Sequence, residues 1–292
     1  MTQESPSPAL VCHSLFNDSA ADTVLRSAEG TLFRIPRFVL RDTTGYFAAT
    51  LAAPPDPPDA EPVPLEETAA VLARALCLLS GLPPPDPQAA TWDFATAEAL
   101  LALAERWAAP GLASRVRDAA GGPPFVADPL RLYSLAMRAG WDAEARVAAR
   151  GTLALALFDE GHATVLRGMP AHALLELLAL HRRRRDELDA LLGPGGVGVG
   201  PGLDEMVSGR CAACGLQGDT HLWREYRARI FMEMDIRPLG DTVIGFAVDE
   251  WPQALACWNA KCAGAECGKP LYERESILSQ IKACIDKLPD TI

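Results

Sequence analysis

Six of the eight cysteines in this chain of 292 residues lie after residue 200, and four of those six form two pairs. Cys211 and Cys214 are separated by two residues, Cys262 and Cys267 are separated by four, and a glycine follows each pair. Two thiolates this close in sequence can point at one ion, and the following glycine permits the left-handed turn that this requires. The pattern predicts one structural zinc site, because four thiolates leave no open position on the ion.

Other interpretations of this region stay open. Cys257 or His221 could replace one thiolate as a zinc ligand, whereas Cys284 lies beside Ile281 on a periodic apolar helix and fits a core position. The thiols could instead be ordinary reduced cysteines, or a thiol switch, although no redox-type βαβ pattern surrounds the motif. Three tryptophans are expected to be core anchors near the zinc site: Trp223, Trp251 and Trp258.

Composition and charge exclude several classes of protein. Hydrophobic residues make up 49% of the chain, which argues against disorder. The net charge is −11, and residues 193–292 carry 10 basic and 14 acidic groups, a net −4, so binding to nucleic acid is not expected. The sequence shows no secretory signal and no apolar run of membrane-spanning length. We therefore expect an intracellular protein of the nucleus or cytoplasm, with no membrane partner and with reduced cysteines.

Changes in composition divide the chain into five predicted segments. The sequence GPGGVGVGPG formally contains a GxGxxG pattern, but a leucine-rich helix precedes it where a phosphate-binding loop requires a strand. It is therefore interpreted as a linker. The segments are a flexible leader at 1–14, a mixed domain at 15–120, a helical extension at 125–192, the linker at 193–202, and a cysteine-containing C-terminal region at 203–292 that ends in a helix.

Within the mixed domain, short strands and amphipathic helices alternate. Two strand patterns flank a four-residue turn that ends in Gly30, which predicts a hairpin. Asp93 is the expected N-cap of a helix. The predicted elements are strands at Asp22–Arg26, Thr31–Arg34 and Pro62–Leu65, a helical region at 36–51 with a break at Asp42–Gly45, and helices at 65–79, 93–107 and Leu112–Ala120.

One basic run, His181-Arg-Arg-Arg-Arg185, lies on a predicted helix of the extension. It could be a localisation signal or an anion-binding patch. The acids that follow it, Asp186, Glu187 and Asp189, favour a solvated helix face.

The order of elements over residues 16–118 resembles that of a BTB/POZ domain. The segment ADTVLRSAEGTLFRIPRFVLRDTTGYFAATL is similar in sequence pattern to the N-terminal part of domains in that family. The segment PLRLYSLAMRAGWDAEARVAARGTL and the distant cysteine pairs resemble the long BTB proteins of mushroom-type fungi. The resemblance implies an α+β fold with a small, mainly antiparallel sheet of three strands flanked by helices. It also implies that Asp22 and Arg37 occupy positions that support a homodimer in this family.

The same resemblance implies a protein–protein interaction adaptor, with a cullin scaffold of a ubiquitin ligase as a candidate partner. The chain has no GxSxG, HExxH or GxxxxGK[ST] motif, so the common hydrolase, zinc-protease and P-loop mechanisms lack their residues and no enzyme is expected. The alternative is a transcriptional or chromatin regulator whose zinc-stabilised tail contacts nucleic acid or other regulators. That alternative lacks both a basic tail and a finger-type Cys2His2 spacing.

Overall fold

The computed structural model describes residues 11–52, 61–83, 91–193 and 209–292. Almost all of the predicted linker at 193–202 lies outside the described residues, as does the start of the predicted leader. The chain divides into two compact units, Met1–Asp128 and Pro129–Ile292. The predicted helical extension and the cysteine-containing region therefore belong to a single unit.

The first unit contains a four-stranded sheet in the order β1-β3-β2-β4. β2 pairs antiparallel with β3, whereas the β1–β3 and β2–β4 pairs are parallel. The sheet is thus mixed, and the predictions of a mainly antiparallel sheet and of three strands are wrong. The leader prediction is also wrong at its end, since residues 12–14 belong to β1. The strands are β1 (Cys12–Asn17), β2 (Thr23–Arg26), β3 (Leu32–Ile35) and β4 (Val63–Pro64).

The predicted hairpin is confirmed in β2 and β3. Thr23 lies opposite Ile35 and Arg26 opposite Leu32, so the strands are in register over their whole length. Gly30 has a φ of +89°, a left-handed conformation that glycine adopts without steric cost. A residue with a side chain would be strained at position 30, so this turn favours glycine.

The described residues of the first unit also form six helices, and local capping explains where two of them begin. Thr68 caps α3 through a hydrogen bond from the Val71 amide, so α3 begins four residues later than predicted. Asp93 caps α4, as predicted, by accepting a hydrogen bond from the Thr96 amide. The helices are α1 (Arg37–Thr43), α2 (Gly45–Thr50), α3 (Ala69–Ser80), α4 (Phe94–Arg106), α5 (Pro110–Ala120) and α6 (Pro123–Val126).

The core of this unit draws on both the sheet and the helices. Phe33 of β3 and Phe47 of α2 are fully buried, and the rings of Phe47 and Trp107 form a T-shaped, edge-to-face contact. The Asp22 carboxylate accepts a hydrogen bond from the backbone amide of Arg37 at 2.7 Å, and the Arg37 Nε donates to the Leu51 carbonyl. These contacts join the hairpin to the helical pair within one chain.

The second unit is helical in its described part. Its helices are α7 (Pro129–Ala139), α8 (Asp142–Thr152), α9 (Ala163–Gly168), α10 (Ala171–Leu191), α11 (His221–Ile236), α12 (Pro252–Asn259) and α13 (Arg274–Ile285). The end of α10 shares one apolar core with α11, α12 and α13, and Tyr226 lies at its centre. No helix among the described residues has both the length and the apolar character needed to cross a membrane.

The basic run of α10 is only partly a solvated face. Arg184 is 4% exposed, and its guanidinium donates hydrogen bonds to the carbonyls of Pro238 and Pro289 at 2.8 and 2.7 Å. Longer bonds reach the carbonyls of Leu239 and Leu288. Arg184 therefore ties α10 to two segments far along the chain, and the prediction of a wholly solvated face is wrong at this residue.

Candidate metal centre

The first cysteine pair lies in a short loop, residues 210–217, that is closed by an antiparallel bridge and that we call the first knuckle. Arg210 and Gln217 form an isolated antiparallel bridge, and the Cys211 amide donates to the Leu216 carbonyl at 2.9 Å. The Gly215 amide donates to the Cys211 carbonyl, and Gly215 has a φ of +73°. The glycine after the pair thus has the left-handed conformation that its position predicts.

The second pair lies in a matching turn, the second knuckle, residues 261–270. Lys261 and Pro270 form the closing bridge, and the Cys262 amide donates to the Lys269 carbonyl at 2.8 Å. Gly268 has a φ of +54°, and the Gly264 amide lies 3.4 Å from the Cys262 sulfur, to which it donates. The two knuckles therefore repeat one design, despite their different cysteine spacings.

The two knuckles bring all four predicted cysteines together, with their sulfur atoms within 4.8 Å of one another. The Sγ of Cys211 lies 3.8 Å from that of Cys267, and the Sγ of Cys214 lies 3.5 Å from that of Cys262. A tetrahedral zinc ion with Zn–S bonds of about 2.3 Å holds its sulfurs about 3.8 Å apart. The donor type, number and spacing therefore fit one zinc ion.

Backbone amides favour the thiolate form of one of these four cysteines. Amides of Cys214 and Ala213 donate hydrogen bonds to the Cys211 thiolate and lower the pKa of Cys211 to about 7. Amide donors favour the charged form of a thiol, which is the form that binds metal. Backbone amide bonds are outweighed at Cys262 and Cys267, where desolvation and hydrogen bonds to neighbouring cysteine sulfurs raise the pKa values instead, so the amides favour the thiolate form at Cys211 and not across the whole cluster.

Each knuckle is attached to the core of the second unit. The first knuckle leads through Asp219, whose carboxylate accepts the His221 amide, into α11. The second knuckle leads to Tyr272, a fully buried residue whose hydroxyl donates to the Asp219 carbonyl at 3.2 Å. This bond links the two chain segments beside the cysteine cluster.

The alternative ligands lie outside the cluster. Cys257 is fully buried in the core, where burial raises the pKa of its thiol to about 12, and the His221 ring pairs with Glu225 at 3.1 Å. Cys284 is a core residue, as predicted. The tryptophans also pack in the core, where the rings of Trp223, Trp251 and Trp258 surround Tyr226.

An open pocket of about 500 Å³ lies against the cluster and receives residues from both knuckles. Cys214, Ala213 and Leu216 line it from the first knuckle. Cys267 lines it from the second knuckle, together with Glu266 and Lys269. Cys214 is exposed and Cys267 is half-buried, whereas Cys211 and Cys262 are buried. The cluster thus has a closed side and an open side, a distinction that the cysteine spacing did not indicate.

Comparison of the chain with protein-family models, with curated proteins and with solved structures finds no match.

Proposed function

We propose that this chain is a non-enzymatic adaptor for protein–protein interaction, with a BTB/POZ-like first unit and a second unit stabilised by one structural zinc ion. The observation that carries the proposal is the convergence of Cys211, Cys214, Cys262 and Cys267 on one point. Four thiolates fill the coordination sphere of zinc, so the ion would have no position for a substrate or a water molecule. Such a site stabilises a fold and performs no catalysis.

Zinc content gives the first test. Untagged protein, purified under reducing conditions, is expected to hold about one zinc per chain. The double variant Cys211→Ser/Cys262→Ser, which removes one ligand from each knuckle, should lose the ion. Cys12→Ser is the matched control, because Cys12 lies in the sheet of the first unit. Folded, reduced wild-type protein without zinc would contradict the metal centre.

The order of elements in the first unit supports the BTB/POZ part of the proposal. A hairpin, a helical pair, a short strand and helices α3 to α5 follow one another as the resemblance implies. The first unit would bind a cullin scaffold or form a homodimer, and the second unit would bind a different protein. A net charge of −4 over residues 193–292 favours a protein over a nucleic acid as that second partner.

The division into two units gives the test of the adaptor function. Affinity purification of the full chain from its native host, followed by mass spectrometry, should recover two sets of partners. The metal-centre double variant should lose the set that binds the second unit and keep the set that binds the first, including any cullin scaffold. Cys12→Ser should keep both sets.

Two results would contradict the adaptor. One is a wild-type chain that recovers no protein partner. The other is salt-sensitive binding of purified protein to DNA or RNA in a titration at low ionic strength, which would favour the regulator alternative.

A further inference from the structure

We propose that Cys214 is an oxidation site at which a hydroperoxide converts the metal centre into a disulfide between Cys214 and Cys262, with release of the zinc ion. The inference rests on the proposed zinc site and adds a regulatory chemistry to it. Three observations carry it: the uneven exposure of the four cysteines, the pocket on the exposed side, and the pairing of sulfur atoms across the knuckles.

Access favours Cys214 over the other three cysteines. Cys214 is the exposed member of the cluster, while Cys211 and Cys262 are 2% and 8% exposed. The pocket beside Cys214 is open and is walled mainly by small or apolar side chains, among them Ala213, Leu216 and Ala265. A small oxidant can therefore reach the Cys214 sulfur without unfolding of either knuckle.

Sulfur positions favour Cys262 as the second thiol. The Sγ atoms of Cys214 and Cys262 are 3.5 Å apart, closer than the 3.8 Å that separates the Sγ atoms of Cys211 and Cys267. A disulfide bond is about 2.05 Å long, so the two sulfurs must approach by about 1.5 Å. The resulting disulfide would join the knuckles where the zinc ion had joined them, so the second unit would keep one cross-link.

The chemistry balances with hydrogen peroxide as the oxidant. The Cys214 thiolate attacks one peroxide oxygen; an S–O bond forms, the O–O bond breaks, and the leaving hydroxide takes a proton to become water. The Cys262 thiolate then attacks the Cys214 sulfur; the S–S bond forms, the S–O bond breaks, and a second protonated hydroxide leaves as water. Two thiolates lose two electrons, one peroxide gains them, and the zinc ion loses two of its four ligands.

The experiment treats zinc-loaded full-length protein with hydrogen peroxide and measures released zinc with a chromogenic chelator. The remaining thiols are then alkylated, and a tryptic map without reducing agent, with fragmentation of the cross-linked peptides, locates the disulfide. Trypsin leaves each knuckle on one peptide, residues 211–224 and 262–274, because the bond between Lys269 and Pro270 resists cleavage. We expect about one zinc released per chain. We also expect a cross-linked pair of these peptides joined through Cys214 and Cys262, and recovery of both after addition of thiol and zinc.

The outcomes separate this inference from the zinc site itself. Reduced protein without zinc would overturn the metal centre and this inference together. Zinc retained after peroxide would overturn this inference alone, and so would a disulfide within one knuckle or any disulfide between the knuckles other than Cys214–Cys262. The Cys12→Ser variant should behave as wild type, which would show that the half-buried cysteine of the first unit plays no part.

Discussion

The role of Arg184 depends on tertiary contacts with two distant segments of the chain. A buried guanidinium is tolerated only when hydrogen bonds replace its lost hydration, and Arg184 has carbonyl acceptors from two distant segments. Arg184→Met is expected to destabilise the protein by about 3 kcal/mol, because buried carbonyls would lose a charged donor. Arg183→Met is the matched control, since Arg183 is exposed beside Glu187 and should cost about 0.5 kcal/mol or less. Urea unfolding of both variants measures the difference, and equal losses would contradict the assigned role.

His181, one turn before Arg184, should make the second unit sensitive to acid. Burial, and then the nearby charge of Arg184, lower the pKa of His181 to about 4. Thr152 Oγ1 donates to the Ala149 carbonyl, so it accepts a hydrogen bond from Nε2 of His181 at 3.0 Å. With a pKa of about 4, the ring of His181 is neutral at pH 7.

In the unfolded chain, the pKa of His181 returns to about 6.5. The unfolded state then binds a proton that the folded state does not, so stability should be lost as the pH falls from about 6.5 to about 4, by about 3 kcal/mol in all. His181→Gln should remove this part of the pH dependence, and the exposed His172→Gln should leave it unchanged. Denaturant unfolding at several pH values measures it, and identical slopes in wild type and His181→Gln would contradict the assignment.

At the scale of single elements, the N-cap of α4 has a direct test. The Asp93 carboxylate accepts the Thr96 amide at 2.7 Å and satisfies one of the free amides of the first helical turn. Asp93→Ala should cost about 1 kcal/mol, whereas Asp93→Asn should cost little, because asparagine is an equally good N-cap. Thermal unfolding of the two variants provides the comparison, and an equal loss in both would show that the charge matters more than the cap.

Local patterns predicted the elements that local interactions determine. The hairpin, the break between α1 and α2, and the cap of α4 all follow from residues within a few positions of each other. The four cysteines were also predictable, because each knuckle is a local turn with its own glycine.

Elements that depend on distant contacts were not predictable. β1 was missed because only Phe16 of its six residues is buried, so an edge strand that pairs with β3 shows no alternation of apolar and polar residues. Arg184 was missed because its acceptors lie more than fifty positions away in sequence. The exposure of Cys214 was not predictable either, since it depends on how the two knuckles contact each other.

On the scale of the whole molecule, the metal centre should stabilise one unit and leave the other unchanged. All four cysteines, α11, α12 and α13 belong to Pro129–Ile292, and the zinc ion would connect segments about fifty residues apart within it. A ligand that binds only the folded state stabilises the structure that its site requires. The stabilisation by zinc should therefore be largest at the knuckles. It should extend into the apolar core of the second unit, which contains Tyr272.

Amide hydrogen exchange with and without a zinc chelator tests this expectation residue by residue. The amides of Cys211 and Cys262 close the two knuckles through the carbonyls of Leu216 and Lys269, so zinc removal should speed their exchange about tenfold or more. The Ser27 amide, which closes the hairpin of the first unit by donating to Thr31, should exchange at an unchanged rate. Equal acceleration at all three amides would mean that the metal stabilises the whole chain, and no acceleration at the knuckles would remove its structural role. A selective effect would locate the zinc-dependent stability in the unit that the adaptor proposal assigns to the second partner.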